Sequence, residues 1–381
     1  MISPKFFIQT LEANGIEFFA GVPDSLLKNI CAYMADHIDG HHYIIAANEG
    51  GAVGLVAGYH LATSRIGMVF MQNSGEGNAI NPLASLTDKE VYNIPVLLLI
   101  GWRGEPGIHD EPQHVKQGKV TLPLLEVMGI RHAILSKDDA EAAHQVEEAV
   151  RFMEKSKEPF ALVVEKDTFE PYTLKNKNES HLTLTREKAI QIVAAAIGPE
   201  DVIVSTTGMI SRELFEFRTA KGQGHEQDFL TVGSMGHASQ IALGIALAQP
   251  ERTVWCFDGD GAALMHLGGM PIVGSLCPAN FVHIVFNNGA HDSVGGQPTV
   301  GLEIEFPELA EAFGYKQVNR VDSEEQLVDL MTFLPQWAAK KDGPYFLEIQ
   351  VRKGNRKDLG RPTTSPLENK EAFMKFLSKK D

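Results

Sequence analysis

The feature that most narrows what this chain can fold into is a rhythm. Short apolar runs rich in Val, Ile and Phe alternate with stretches of helical periodicity, and the whole pattern occurs twice. FFAGV, HYIIAANE, IGMVFMQ, IPVLLLIG and FALVVEK mark the first half, and DVIVSTTG, RTVWCFDGD, NFVHIVFNN and PYFLEIQV the second. Strands alternating with helices are the mark of a parallel sheet covered on both faces. The expected fold class is α/β, with two doubly wound parallel-sheet domains at roughly 1–167 and 184–365. Between them 168–183, TFEPYTLKNKNESHLT, is polar and aperiodic and reads as a linker, while 366–381 reads as a helical tail.

With 381 residues and 44% hydrophobic content the chain can build two cores. A formal charge of −15 argues against nucleic-acid or anionic-membrane partners, which need a dense cationic face. An anionic substrate would require positive charge concentrated locally. Cys31, Cys256 and Cys277 are too scattered for a disulfide framework or thiolate metal site, and each is expected in the core. The N-terminal stretch lacks a leader pattern and no window reaches the roughly 18 apolar residues of a membrane span, so a cytoplasmic location is expected.

The strongest chemical signal is Gly259-Asp260-Gly261, followed after 25 residues by Asn287-Asn288, each group directly after an apolar strand. Gly-Asp-Gly alone is usually a turn. A strand–helix–strand unit of this length, however, sets Asp260 and Asn288 side by side at the carboxyl edge of a sheet, where open α/β sheets bind ligands. A carboxylate, an amide oxygen and a nearby backbone carbonyl are hard donors suited to Mg²⁺. Gly261 allows a phosphate to approach the backbone where a helix starts. A second signal is Glu49, which ends an apolar strand and opens a small-residue helix; favourable placement of an acid at a helix N-terminus is the competing account. A third is the glycine cluster Val232-Gly233-Ser234-Met235-Gly236, which loop geometry alone could explain.

Together these segments resemble the thiamine-diphosphate (ThDP) dependent enzyme superfamily. The resemblance implies that Asp260, the Asn288 side chain and the Ala290 carbonyl hold Mg²⁺, with Gly259, Gly261 and Ala262 beside the diphosphate. It implies that Glu49 exchanges a proton with the aminopyrimidine, that the Gly233 carbonyl accepts its amino group, and that Ser234 and Met235 contact the ring, Met235 as an apolar wedge. Thr206 to Ser211 are weaker candidates for cofactor contact.

No middle domain separates the two halves, a short form similar to the phosphonopyruvate and sulfopyruvate decarboxylases. GVPDSLL, NSGEGNAINPLASL, GWRGEPGIHDEPQH, NNGAHDSVGGQPT and DLGRPTTSP resemble the phosphonopyruvate branch. That family's reaction would convert 3-phosphonopyruvate to phosphonoacetaldehyde and CO₂, in phosphonate biosynthesis. By resemblance Ser25 would contact the substrate carboxylate with Asp24 as a proton carrier, although helix capping explains either residue equally well. Arg103 could hold a phosphonate, and His109 or His114 could relay a proton by titrating near neutrality. His291 would lie on the thiazolium side. Arg356 to Arg361 either assist the phosphonate or form a solvated basic tail. Pro271 should kink the helix that follows Gly261. Superfamily members place the cofactor between subunits, so a homodimer or larger homo-oligomer is expected. Rival readings are a sulfopyruvate or other 2-oxo acid decarboxylase and a ThDP-binding regulatory subunit.

Overall fold

The apolar runs become strands of two wholly parallel sheets in the computed structural model, which describes residues 1–175 and 180–378. The chain divides into two units, Met1–Asn178 and Glu179–Asp381. In the first, β1 (Phe19–Gly21), β2 (Tyr43–Ile45), β3 (Gly67–Gln72), β4 (Val96–Gly101), β5 (Arg131–Ile134) and β6 (Phe160–Val164) lie in the order β2-β1-β3-β4-β6-β5. Alternate residues serve opposite faces. Met68, Phe70, Leu97 and Leu99 join a core with the helices Pro4–Ala13, Lys28–His37 and Asp139–Ser156. Val69, Met71, Leu98 and Ile100 pack with Ala52, Val53 and Val56 of the helix Glu49–Thr63 and with Leu125 of the helix Pro112–Val127.

The second unit holds β7 (Val202–Ser205), β8 (Asp228–Leu230), β9 (Val254–Gly259), β10 (Phe281–Asn287), a small antiparallel pair β11 (Ala290–His291) and β12 (Gln297–Pro298), β13 (Gln317–Val321) and β14 (Tyr345–Gln350). Its main sheet runs β13-β14-β10-β9-β7-β8. Renumbered within the unit and read from β8, this is the order of the first sheet. Trp255 and Phe257 face a core with the helices Arg186–Ala196 and Met209–Ala220. Val254 and Cys256 face the other side, with the helices Ala238–Ala248 and Gly269–Leu276.

Three details amend the sequence reading. The stretch after Gly261 is two helices, Asp260–Met265 and Gly269–Leu276, rather than one kinked helix. Pro271 falls in the first turn of the second, where its missing N–H had no intrahelical acceptor to lose. Cys277 is exposed and closes that helix in the left-handed region (φ 48°), whereas Cys31 and Cys256 are buried as expected.

Of the polar segment 168–183, Phe169 joins the first core and Leu182 is buried, while residues 176–179 lie outside the described residues. The C-terminal helix Pro366–Leu377 starts with a Ser365–Glu368 capping box and seats Phe373 and Phe376 in the second unit's core. Asn369 there accepts from Leu230 N (3.1 Å) and donates to the Asp228 carbonyl (2.8 Å); residues 379–381 lie outside the described residues. Among the described residues no helix is long and apolar enough to cross a membrane.

Phe257 is fully buried on the central strand β9. Phe257→Ala should cost about 3–5 kcal/mol of stability through lost burial and a residual cavity, read as a lowered urea midpoint.

Candidate active site

In each unit the helices following the first and third strands pack on opposite faces. The helix after β1 carries Ile30 and Met34 to one face, and the helix after β3, Glu76–Pro82, carries Ala79 to the other. In the second unit the helix after β7 carries Leu214 to one face, and those after β9 carry Ala263 and Met270 to the other. The chain therefore parts at the carboxyl ends of β1/β3 and β7/β9, the position where doubly wound sheets open a crevice.

At the first opening Asp24 is fully buried. It accepts from Gln72 Nε2 (2.6 Å) and Leu26 N (2.9 Å). It closes the turn after β1 and does not cap the following helix, whose N-cap is Leu27. A side chain at Gly101 would put its Cβ 2.1 Å from the Asp24 carboxylate, which explains why β4 must end in glycine. Burial raises the Asp24 pKa against the hydrogen bond from Gln72. Arg103 donates from Nη1 to Ser25 Oγ (2.6 Å) and from Nε to Asp110 (2.7 Å), and a further close contact from Nη2 completes a bidentate pair with Asp110. Gly104 N and Glu111 N also donate to Asp110. Burial pushes Asp110 up, but Arg103 and the Gly104 amide outweigh it and hold the carboxyl below its usual range. Arg103, Trp102, Ile108, His109 and Lys166 line one pocket.

His114 departs from expectation. It is buried on the inner face of the helix Pro112–Val127, with Nδ1 unpartnered among the described residues, and burial followed by repulsion from Arg103 pushes its pKa down to about 4. It is thus neutral at physiological pH and does not titrate near neutrality, whereas His109 is exposed at the pocket rim.

Glu49 is the first residue of its helix. Asn48 caps that helix by accepting from Gly51 N (2.8 Å), so the helix end is satisfied without the Glu49 carboxylate. That carboxylate is buried, accepts from Asn78 Nδ2 (2.7 Å), and lies where a Cβ on Gly75 would come within 2.3 Å of Oε1. Burial raises its pKa and the Asn78 bond partly opposes the rise. Sequence reasoning missed Asn78, and also Glu76, a buried carboxyl pushed up to about 8 by burial, with Oε1 unpartnered among the described residues. Both lie in the family-like segment NSGEGNAINPLASL, but only the proximity of that segment to Glu49 in the fold reveals what they do.

The second opening gathers Thr206, Thr207, Met209, Ile210, Met235, Gly259, Asp260, Gly261, Ala262, Asn288, Ala290 and His291 around one pocket. Burial raises the Asp260 pKa to about 6 against a short hydrogen bond from Thr299 Oγ1. Thr299 was not foreseen; the β11–β12 hairpin returns it to a residue 39 positions earlier. Asn287 is structural, donating to the Gly301 carbonyl (2.7 Å) and Glu348 (2.6 Å). Asn288 accepts from Ala290 N (2.9 Å). The His291 ring packs where a Cβ on Gly261 would meet it at 2.6 Å, and burial pushes its pKa down to about 4, so it too is neutral. Gly233, Ser234 and Gly236 all have positive φ (72°, 45° and 83°), a backbone path that the glycines make accessible. Gly233 N donates to Thr207 Oγ1 (3.1 Å), and Ser234 is exposed. Thr206 Oγ1 is buried in the same pocket without a partner among the described residues. Asp260, Asn288 and Thr206 thus offer oxygen donors that fit a cation and its bound diphosphate. Arg356 is engaged by Glu187, Glu216 and Asp358 and is not available for a phosphonate.

Residues 4–122 match the family described as "Thiamine pyrophosphate enzyme, N-terminal TPP binding domain", and residues 206–349 match its C-terminal TPP binding domain. The chain belongs to this thiamine pyrophosphate enzyme family. It is 32% identical to phosphonopyruvate decarboxylase of Streptomyces viridochromogenes, with 99% of this chain and 96% of that protein covered. Phosphonopyruvate decarboxylase of Streptomyces hygroscopicus is likewise 32% identical (99% and 94%), and sulfopyruvate decarboxylase of Methanosarcina acetivorans is 27% identical (98% and 97%). The chain is a ThDP-dependent decarboxylase of the phosphonopyruvate/sulfopyruvate decarboxylase type, a carboxy-lyase.

Asn78→Leu removes the donor that favours ionised Glu49, so the pH at which Glu49 ionises should rise further, measured by ¹³C NMR of labelled glutamate. An unchanged or lower midpoint would contradict this account of the carboxyl's environment.

Proposed function

We propose that the chain decarboxylates 3-phosphonopyruvate to phosphonoacetaldehyde and CO₂, a step of phosphonate biosynthesis, using ThDP and Mg²⁺. The observation that carries the choice of substrate is the guanidinium of Arg103, brought to the β1/β3 opening beside Ser25 and Asp24. Asp110 pairs with its charge, so what Arg103 offers an anionic substrate, on a chain of formal charge −15, is the Nη N–H donors that Asp110 and Ser25 leave over. Likeness over nearly the whole length to two phosphonopyruvate decarboxylases supports the same reading.

When bound, ThDP supplies the nucleophilic carbon and the electron sink for loss of CO₂. Asp260 and Asn288 contribute side-chain oxygens and Ala290 its carbonyl to Mg²⁺, with Gly259, Gly261, Ala262 and Thr206 beside the diphosphate. Glu49 holds a proton on its carboxylate for the pyrimidine ring nitrogen, with burial keeping the neutral form accessible. The Gly233 carbonyl, Ser234 and Met235 orient the ring. Ser25 and Arg103 bind the substrate anion, His291 borders the reacting end as a neutral group, and Asp24 carries the proton returned to the product. His109, exposed on the pocket that Arg103 lines, is the catalytic histidine of its loop, while buried neutral His114 serves as a packing group. The subunits act as a homodimer or larger homo-oligomer.

A substrate panel tests the reading. CO₂ release should be fastest with phosphonopyruvate and should require both ThDP and Mg²⁺; a higher kcat/KM with sulfopyruvate would transfer the chain to that reaction. Glu49→Gln should retain ThDP affinity within a few-fold and lose about 10²–10⁴ in turnover. Because the Asp260 carboxyl ionises at about pH 6, a proton competes with Mg²⁺ below that pH. Apparent Mg²⁺ affinity should therefore be flat above pH 6 and fall about tenfold per unit below it, as followed by calorimetric titration.

A further inference from the structure

The second unit contains a charged network that none of these roles uses. Arg186 opens the helix Arg186–Ala196 with its side chain only 5% exposed. Two of its arms grip Glu213, at 2.8 Å from Nε and 3.0 Å from Nη2, and Nη1 reaches Asp292 Oδ2 at 2.9 Å. That same Asp292 oxygen accepts from Asn288 Nδ2 (2.7 Å) and from Gly354 N (3.0 Å). Three segments distant in sequence thus converge on one carboxylate oxygen beside Asn288.

The consequence lies in which way the Asn288 amide points. A carboxylate can only accept and a backbone N–H can only donate, so Asp292 fixes the amide NH₂ on one side while Ala290 N holds the amide oxygen on the other. Turned over, the amide would set its oxygen against a carboxylate and its NH₂ against an N–H. It would also offer hydrogens, in place of a lone pair, to anything bound at Asp260. Arg186 acts one step further back. By donating Nη1 to Asp292 it shares its charge between that carboxylate and Glu213 and keeps Asp292 turned toward Asn288, so it does not become a second acidic ligand.

We propose that Asp292 and Arg186 are positioning residues that lock the Asn288 amide with its oxygen presented to the divalent cation. This rests on the proposed metal role of Asn288. Outer partners of this kind typically change metal affinity 10–100-fold when removed.

The test is the Kd of Mn²⁺, used as the probe cation with ThDP present and read from the electron paramagnetic resonance signal of the free ion in the full-length protein. Asp292→Ala should weaken Mn²⁺ binding tenfold or more. Asp292→Asn, which keeps an acceptor for the Asn288 amide, should recover most of that loss, and Arg186→Lys, which loses the fork but keeps the charge, should fall between. The cofactor-free melting temperature of Asp292→Asn should stay near that of the unchanged protein. If Asp292→Ala fails to fold, Arg186→Lys decides. Mn²⁺ binding that is weakened in Asn288→Ala but unaltered in Asp292→Ala and Arg186→Lys overturns the proposal and leaves the metal reading intact. Binding unaltered in Asn288→Ala overturns both.

Discussion

Burial of the central strands on both faces governs the rest of the structure. β4 and β10 are buried along their whole length, and a polar side chain there costs several kcal/mol unless it finds a partner. Polar residues that occur inside the second sheet find partners, although among the described residues His283 Nε2 makes no hydrogen bond. His283 meets Tyr315 at 3.0 Å and Asp258 at 3.5 Å, and Glu348 meets Arg320 and Asn287. Polar groups outside such pairs in the strand interiors gather where strands end. Asp24, Gln72, Arg103, Thr206, Asp260 and Asn288 all sit within a few residues of a strand's carboxyl end.

This constraint also decides what the sequence makes visible. Nine strands announce themselves as apolar runs, because a strand covered on both sides has no reason to alternate. β5, β8 and β13 do not. They are short or polar strands, with Arg131, Asp228 and Arg320 among their residues, and two of them, β5 and β13, carry much exposed surface. They end or flank a sheet where one neighbour is missing, so burial writes a weaker signature into them. The α/β class and the doubled rhythm were legible for the same reason.

In the crevices legibility follows sequence distance. Asp260 and Asn288 are readable together because each directly follows a strand and one crossover separates them. Thr299, Asn78 and Arg186 are not, because their relevance comes from hairpins, helix packing and ion pairs that no local pattern encodes. The protonation of the histidines was equally hidden. His114 and His291 carry an ordinary side chain into places where burial keeps them neutral, which sequence alone cannot weigh.

The two units share one strand order, each closed around its own pair of cores. Two copies of a single ancestral sheet would give this arrangement, with the copies since divided between tasks: ionisable side chains at the ends of β1, β3 and β4, and oxygen donors at the ends of β7, β9 and β10. Arg103 stands over cores built from the first unit's own strands and helices, and Asp260 over cores built from the second's.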